Sequence, residues 1–126
     1  IGAISLVVAA IGITNTMVMS IYERTREIGI MKVIGATLRD IRWLFLTEAA
    51  FIGCFGGLLG ILLSYIASKL VNVLGVNIGG SAILSVIPVW LMLAALGFST
   101  LVGILAGYLP AQRAMKLSAL SAIKSE

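Results

Sequence analysis

The chain contains no histidine, a single cysteine (Cys54) and a single aspartate (Asp40). Each scarcity removes a class of chemistry. One thiol cannot form a disulfide within the chain, and the ordinary Cys/His ligand sets for zinc are missing. A Ser–His dyad is impossible without histidine, and one aspartate cannot supply an aspartate pair, so intramembrane proteolysis by this chain alone is excluded. Charge is scarce as well. Only 11% of residues are charged, while 60% are hydrophobic. A soluble domain of 126 residues needs far more polar surface to cover its core. The bilayer is therefore the natural solvent for this chain. The net charge of +4 would suit a nucleic acid, but the placement of the charges has another explanation.

What the chain does have is long apolar runs. A spanning helix needs about 20 apolar residues to cross roughly 30 Å of hydrocarbon. Three segments satisfy this, at residues 1–22, 43–68 and 88–109, which predicts an all-α membrane protein. The first run starts at Ile1 without a basic flank or a small-residue cleavage site, so it is expected to be a span of a longer protein rather than a signal peptide. Residues 69–87 are expected to form a loop, marked by Gly79-Gly80-Ser81 and by Pro88 near the first turn of the third helix. Residues 82–86 suit an interfacial turn or a short strand. Residues 110–126 form a tail.

Positive charge sets the orientation. Arg24, Arg26, Lys32, Arg39 and Arg42 follow the first span, and Arg113, Lys116 and Lys124 follow the third; Lys69 alone lies between the second and third. Eight of nine basic residues thus fall on one side of three crossings, which places them in the cytoplasm and residues 72–87 outside. Tyr22, Trp43, Tyr65, Trp90 and Tyr108 lie within about one turn of predicted helix ends, where amphipathic rings favour the membrane interface. Topology accounts for the positive charge, so no nucleic-acid partner is expected.

Inside the spans, small residues recur four apart. Gly53/Gly57 and Gly56/Gly60 overlap in the second span, extended by Ser64 and Ser68, and Gly103 and Gly107 repeat the spacing in the third. Such rows let helix backbones approach closely. They predict a packing face, against a helix of this chain or of a second copy. Asn15 in the first span and Glu48 in the second should not face lipid. A transport pathway, a hydrogen bond to a neighbouring helix and, for Glu48, pairing with an arginine at the surface are the readings open to them.

The charged segment at residues 23–34 is the most informative. Ile28, Met31 and Ile34 fall three apart, so a helix places them on one stripe, with Glu23, Arg24, Arg26, Glu27 and Lys32 mostly off it. Arg24/Glu27 and Glu23/Arg26 are opposite-charge pairs at i,i+3. Gly35 ends the element. Thr37 and Asp40 have the spacing of a capping box that opens the next helix. Such a helix either grips a soluble partner or lies along the headgroups, and the residues themselves leave both open.

Asn15-x-Met17, Glu23-Arg24-Thr25-Arg26-Glu27-Ile28-Gly29, Gly35-Ala36-Thr37, Glu48 with Gly56-Gly57-x-x-Gly60, and Pro110-Ala111-x-Arg113-Ala114 together resemble the C-terminal membrane domain of FtsX-like, MacB-type ABC transporter permeases. The resemblance covers essentially the whole chain and keeps the order of its motifs. It departs at Ser118, where the family often has proline. It implies the second, third and fourth helices of a four-helix permease in a prokaryotic inner membrane, with residues 23–34 as a coupling helix seated on a separate ATP-binding subunit or domain. Glu23, Arg24, Arg26, Glu27, Ile28, Gly29, Met31 and Gly35 are the expected coupling residues, with Ile28 and Met31 as buried anchors. The chain has no G-x-x-x-x-G-K-[ST] motif, so it is expected to be no enzyme and to hold no cofactor, the ATP being bound by the partner. The resemblance further implies a second permease copy or paralogue, contact with membrane lipid, and an extracytoplasmic adaptor. Its implied work is coupling ATP hydrolysis to export or release of drugs, peptides or lipoproteins; a membrane scaffold or a regulator of cell-wall hydrolases is the alternative.

Overall fold

A computed structural model describes residues 1–77 and 85–116. They form four helices: α1 (Gly2–Glu23), α2 (Thr25–Ile34), α3 (Leu38–Asn77) and α4 (Val89–Lys116). No strand occurs among the described residues. α1, α3 and α4 are each long and apolar enough to cross a membrane. Their outward faces are lined with exposed Leu, Ile, Val and Phe side chains. The chain is thus an all-α, multi-pass membrane protein.

Several boundaries differ from the sequence expectation. α3 contains 40 residues, so it spans about 60 Å at 1.5 Å per residue, twice the hydrocarbon thickness. It continues beyond residue 68, and residues 69–77 are helical rather than loop. Hydropathy finds the part of a helix that fits lipid; it does not find where the backbone stops being helical. α4 likewise continues through Pro110 to Lys116, into the expected tail. Glu23 closes α1 rather than opening α2, and the single residue Arg24 joins the two helices. The turn or strand expected at residues 82–86 lies largely outside the described residues, as does the tail beyond Lys116; Ser85 and Val86 have no regular secondary structure.

The helix ends carry their chemistry locally. α2 stops at Gly35, which takes φ 106°, a left-handed conformation open to glycine. Its N–H donates to Lys32 O at 3.2 Å, and that of Ala36 to Met31 O at 2.9 Å, the Schellman pattern. α3 then opens on a capping box. The Thr37 N–H donates to Asp40 Oδ2 at 2.9 Å and the Asp40 N–H to Thr37 Oγ1 at 3.3 Å, while the Thr37 hydroxyl donates to the same carboxylate at 2.6 Å.

α3 and α4 form an antiparallel hairpin, and α1 lies along α4. Two kinds of packing hold them. At the basic end, where α2 sits, Met17, Ile21, Ile28, Ile41, Phe45, Ala49, Ala111 and Ala114 form a buried core drawn from all four helices. Further along, glycines take over. A Cβ at Gly53 would lie 2.5 Å from Ser99 O, and one at Gly103 would lie 2.6 Å from Ala49 O. The α3 and α4 backbones are therefore in direct contact. Lipid offers no hydrophobic gain from pairing two apolar helices, so close backbone packing does that work.

At the opposite end a polar clasp joins α3 to the lead of α4. The Asn72 amide donates to Ser85 O at 2.8 Å and accepts from the Ser85 N–H at 2.9 Å, and Ser68 Oγ donates to Ser85 Oγ at 2.8 Å. The Asn72 side chain satisfies a stretch of backbone as a neighbouring strand would.

Candidate functional site

The candidate site is α2 and the structure it stands on. Ile28 is fully buried in the core it shares with Met17, Ile21, Phe45 and Ala111, and Gly29 beside it is buried. Met31 is half-buried and packs on the same core. The expectation that Ile28 anchors a partner is therefore corrected: it has no exposed surface and closes the end of the chain's own bundle, while Met31 keeps part of its surface open. A short helix capping three converging helices must fill the space between them, and Ile28 does so.

The other face of α2 is open. Ile30, Val33 and Ile34 are 44%, 66% and 80% exposed, and Leu38 continues the patch. Arg26 and Glu27 lie one turn before them and are exposed, as are Glu23 and Gly35. Of the expected stripe, only Ile34 faces outward. Sequence periodicity missed Ile30 and Val33 because a ten-residue helix with apolar groups on both faces has no unique stripe.

Arg24 plays a different part from the one its position suggested. Among the described residues its ion pair is not with Glu27 but with Glu48, at 3.7 Å. Ser20 Oγ lies within 3.5 Å of the same carboxylate. This is the pairing with a surface arginine open to Glu48 from the sequence. Both side chains are partly exposed, so the pair contributes little energy on its own, but it ties the α1–α2 elbow to α3. Lys32, outside the expected coupling residues, donates from Nζ to the Met115 carbonyl in the last described turn of α4 at 2.8 Å. A lysine can satisfy a late helical carbonyl and complement the helix dipole there. Nothing local in the sequence marks this bond, since its partner is 83 positions away.

Pro110 and Thr14 form another pair invisible to motif reading. Proline has no N–H, so in mid-helix the carbonyl four residues earlier loses its donor. That carbonyl belongs to Ala106, and Thr14 Oγ1 of α1 lies 2.9 Å from it, within reach to donate. The same hydroxyl also lies 2.9 Å from Ala10 O.

The glycine rows divide. Gly53, Gly57, Gly103 and Gly107 lie in the α3–α4 seam of this chain, whereas Gly56 and Gly60 have no non-local atom within 4 Å of where a Cβ would be. Asn15 is exposed on α1, and its side chain makes no hydrogen bond among the described residues. No group of metal-ligating side chains occurs among the described residues.

Residues 1–119 match the profile of the FtsX-like permease C-terminal family. The chain belongs to that family. Over its whole length, this FtsX-like permease domain is 42% identical to the ABC transporter permease YtrF of Bacillus subtilis and 40% identical to an uncharacterised ABC transporter permease of Methanocaldococcus jannaschii, covering 31% and 32% of those proteins. It is 40% identical to the macrolide export ATP-binding/permease protein MacB of Escherichia coli, covering 19% of it. The domain thus spans about a third or less of the relatives it matches. Its three candidate spans fit a multi-pass protein of the inner membrane.

Proposed function

We propose that this permease domain receives movement from an ABC ATPase at the outer face of α2 and carries it through its spans to extracytoplasmic work such as export or release of drugs, peptides or lipoproteins. The observation that carries this reading is the ridge of Ile30, Val33 and Ile34, exposed on a helix whose other face is fastened into the bundle. Apolar groups ringed by Arg26 and Glu27 have the make-up of a small interface, in which apolar anchors supply affinity and charges fix register. The name of the Escherichia coli relative places ATP binding and permease in one protein, which supports an ATPase as the occupant. The basic end is cytoplasmic in this reading, as the charge asymmetry favours. The domain works beside a second permease copy, a role supported by Asn15, whose exposed amide at mid-span calls for a partner. ATP is bound by the partner, and the domain itself does no chemistry.

The test uses the full-length permease. Val33→Asp with Ile34→Asp is expected to abolish copurification with the ATPase and to leave folding intact, because both side chains are exposed. Losing interface anchors of this kind costs on the order of 1–3 kcal/mol each. Ile28→Asp is the contrast: it should unfold the basic end itself. If the Val33/Ile34 variant still binds the ATPase and supports normal output, the outer face of α2 is a membrane-surface helix and the reading is wrong.

A further inference from the structure

Arg113 differs from the basic side chains that fasten the bundle. Arg24 pairs with Glu48 and Lys32 meets the Met115 carbonyl, whereas Arg113 is exposed and makes no hydrogen bond or ion pair among the described residues. It borders a trough between α1 and α4 that runs along α1 from Leu6 to Val18. The trough holds about 520 Å³, within the roughly 300–1,000 Å³ of ligand-binding clefts. Apart from Thr14, Asn15 and Arg113 its lining is apolar. Leu6 to Val18 is about 18 Å of helix at 1.5 Å per residue, close to one leaflet of a hydrocarbon core roughly 30 Å thick. Arg113 also borders a small cleft with Ile21, Tyr22 and Pro110 beside the trough. Tyr22 marks the headgroup level, where amphipathic rings sit. Helical side chains lean toward the N-terminus of their helix, so Arg113 leans from the cytoplasmic end of α4 back toward the trough.

We propose that this trough binds one anionic phospholipid of the cytoplasmic leaflet, its phosphate on Arg113 and one acyl chain along α1 from Val18 toward Leu6. The order of the lining is that of the lipid: a cation at headgroup level, then an apolar channel as deep as one leaflet. Guanidinium meets phosphate through two parallel hydrogen bonds, and basic pockets between spans on the cytoplasmic side suit anionic headgroups. A free phosphate ion would gain nothing from the apolar channel. The basic end of a second copy carries the same excess of positive charge, so it repels where lipid phosphate attracts. Thr14 serves the carbonyls of Ala10 and Ala106. The Asn15 amide has two donors and an acceptor, so it can meet a lipid ester and a second permease copy together. The inference rests on the cytoplasmic placement of the basic end and not on what docks at α2; thiol labelling of Lys69→Cys and Arg39→Cys decides that placement separately.

The experiment uses the full-length permease in vesicles of phosphatidylglycerol diluted into an excess of phosphatidylcholine. A photoreactive benzoyl-phenylalanine replaces either Val7, which lines the trough, or Val8, which is exposed at the same depth but lies outside it. Mass spectrometry of the cross-linked lipid gives the headgroup ratio at each position. The Val8 probe should return the composition of the vesicle. The Val7 probe should return phosphatidylglycerol enriched about fivefold over it, the factor that one basic residue near an anionic surface supplies. Arg113→Gln should bring the Val7 ratio down to that of Val8, and Arg113→Lys should keep most of the enrichment because the charge remains. Arg113 is exposed and holds no other described group, so neither variant removes a contact of the fold. Equal ratios at Val7 and Val8 overturn the proposal, as does an enrichment that survives Arg113→Gln. Cross-linking of the Val7 probe to protein instead of lipid overturns it too, and would assign the trough to another helix of the full-length permease or to a second copy.

Discussion

The glycine seam between α3 and α4 allows a test in which two competing effects separate. In an exposed helix interior, Gly→Ala is favourable by roughly 1 kcal/mol, because alanine loses less backbone freedom. At Gly53 the added Cβ would meet Ser99 O at 2.5 Å and the Cα atoms of Thr100 and Gly103 at 3.1 Å; at Gly103 it would meet Ala49 O at 2.6 Å and Gly53 Cα at 3.0 Å. Every obstacle is backbone, so no rotamer can relieve it and the helices must move apart. Overpacking of this sort costs about 1–3 kcal/mol. Gly56 and Gly60 have nothing within 4 Å, so they isolate the propensity term. Gly56→Ala is thus expected to stabilise slightly. Gly53→Ala should fall about 1–3 kcal/mol below it, because propensity cancels in the comparison. The Gly53→Ala/Gly103→Ala double variant should cost less than the sum of its parts, since the first separation makes room for the second methyl. The assay is unfolding of the full-length permease in mixed micelles under denaturing detergent. Equal stability of the Gly53→Ala and Gly56→Ala variants would refute the assignment of the seam.

Two other outcomes follow from the packing of α1 on α4 and from the charge asymmetry. Thr14→Val keeps the shape but leaves the Ala106 carbonyl without its donor opposite Pro110, a loss of about 1–3 kcal/mol in the micelle assay; Pro110→Ala in the same chain should recover most of it by restoring an N–H, and no recovery would mean that the hydroxyl is not serving that carbonyl. In a Cys54→Ala background, Lys69→Cys should react with an impermeant thiol reagent only from outside the cell and Arg39→Cys only from the cytoplasm, as the charge asymmetry requires; the reverse pattern would invert the topology.

Much of this architecture was legible in the sequence because bilayer thickness, interfacial charge and helix capping act locally. Three apolar runs gave three helices, Gly35 and Thr37–Asp40 marked a real stop and start, and the glycine rows marked a packing face. What could not be read was pairing across the chain. Nothing near Gly53 says that its partner is Gly103 and that Gly56 faces away. Ile28 looked like an outward anchor because apolar spacing reports a face, not which way the face turns. Lys32 and Thr14 were passed over for the same reason: each serves a carbonyl more than 80 residues away. The length of α3 escaped because helicity beyond the lipid-matching stretch leaves no hydropathy signal.

That length has a geometric consequence. A rod of about 60 Å that tilts by about 5° swings one end roughly 5 Å relative to the other, without breaking a backbone hydrogen bond. Angle at one face of the membrane becomes travel at the other. Bound to the lead of α4 by the Asn72–Ser85 clasp, the far end of α3 would take that segment along instead of sliding past it, so a small rocking at the base would sweep a wider arc at the tip.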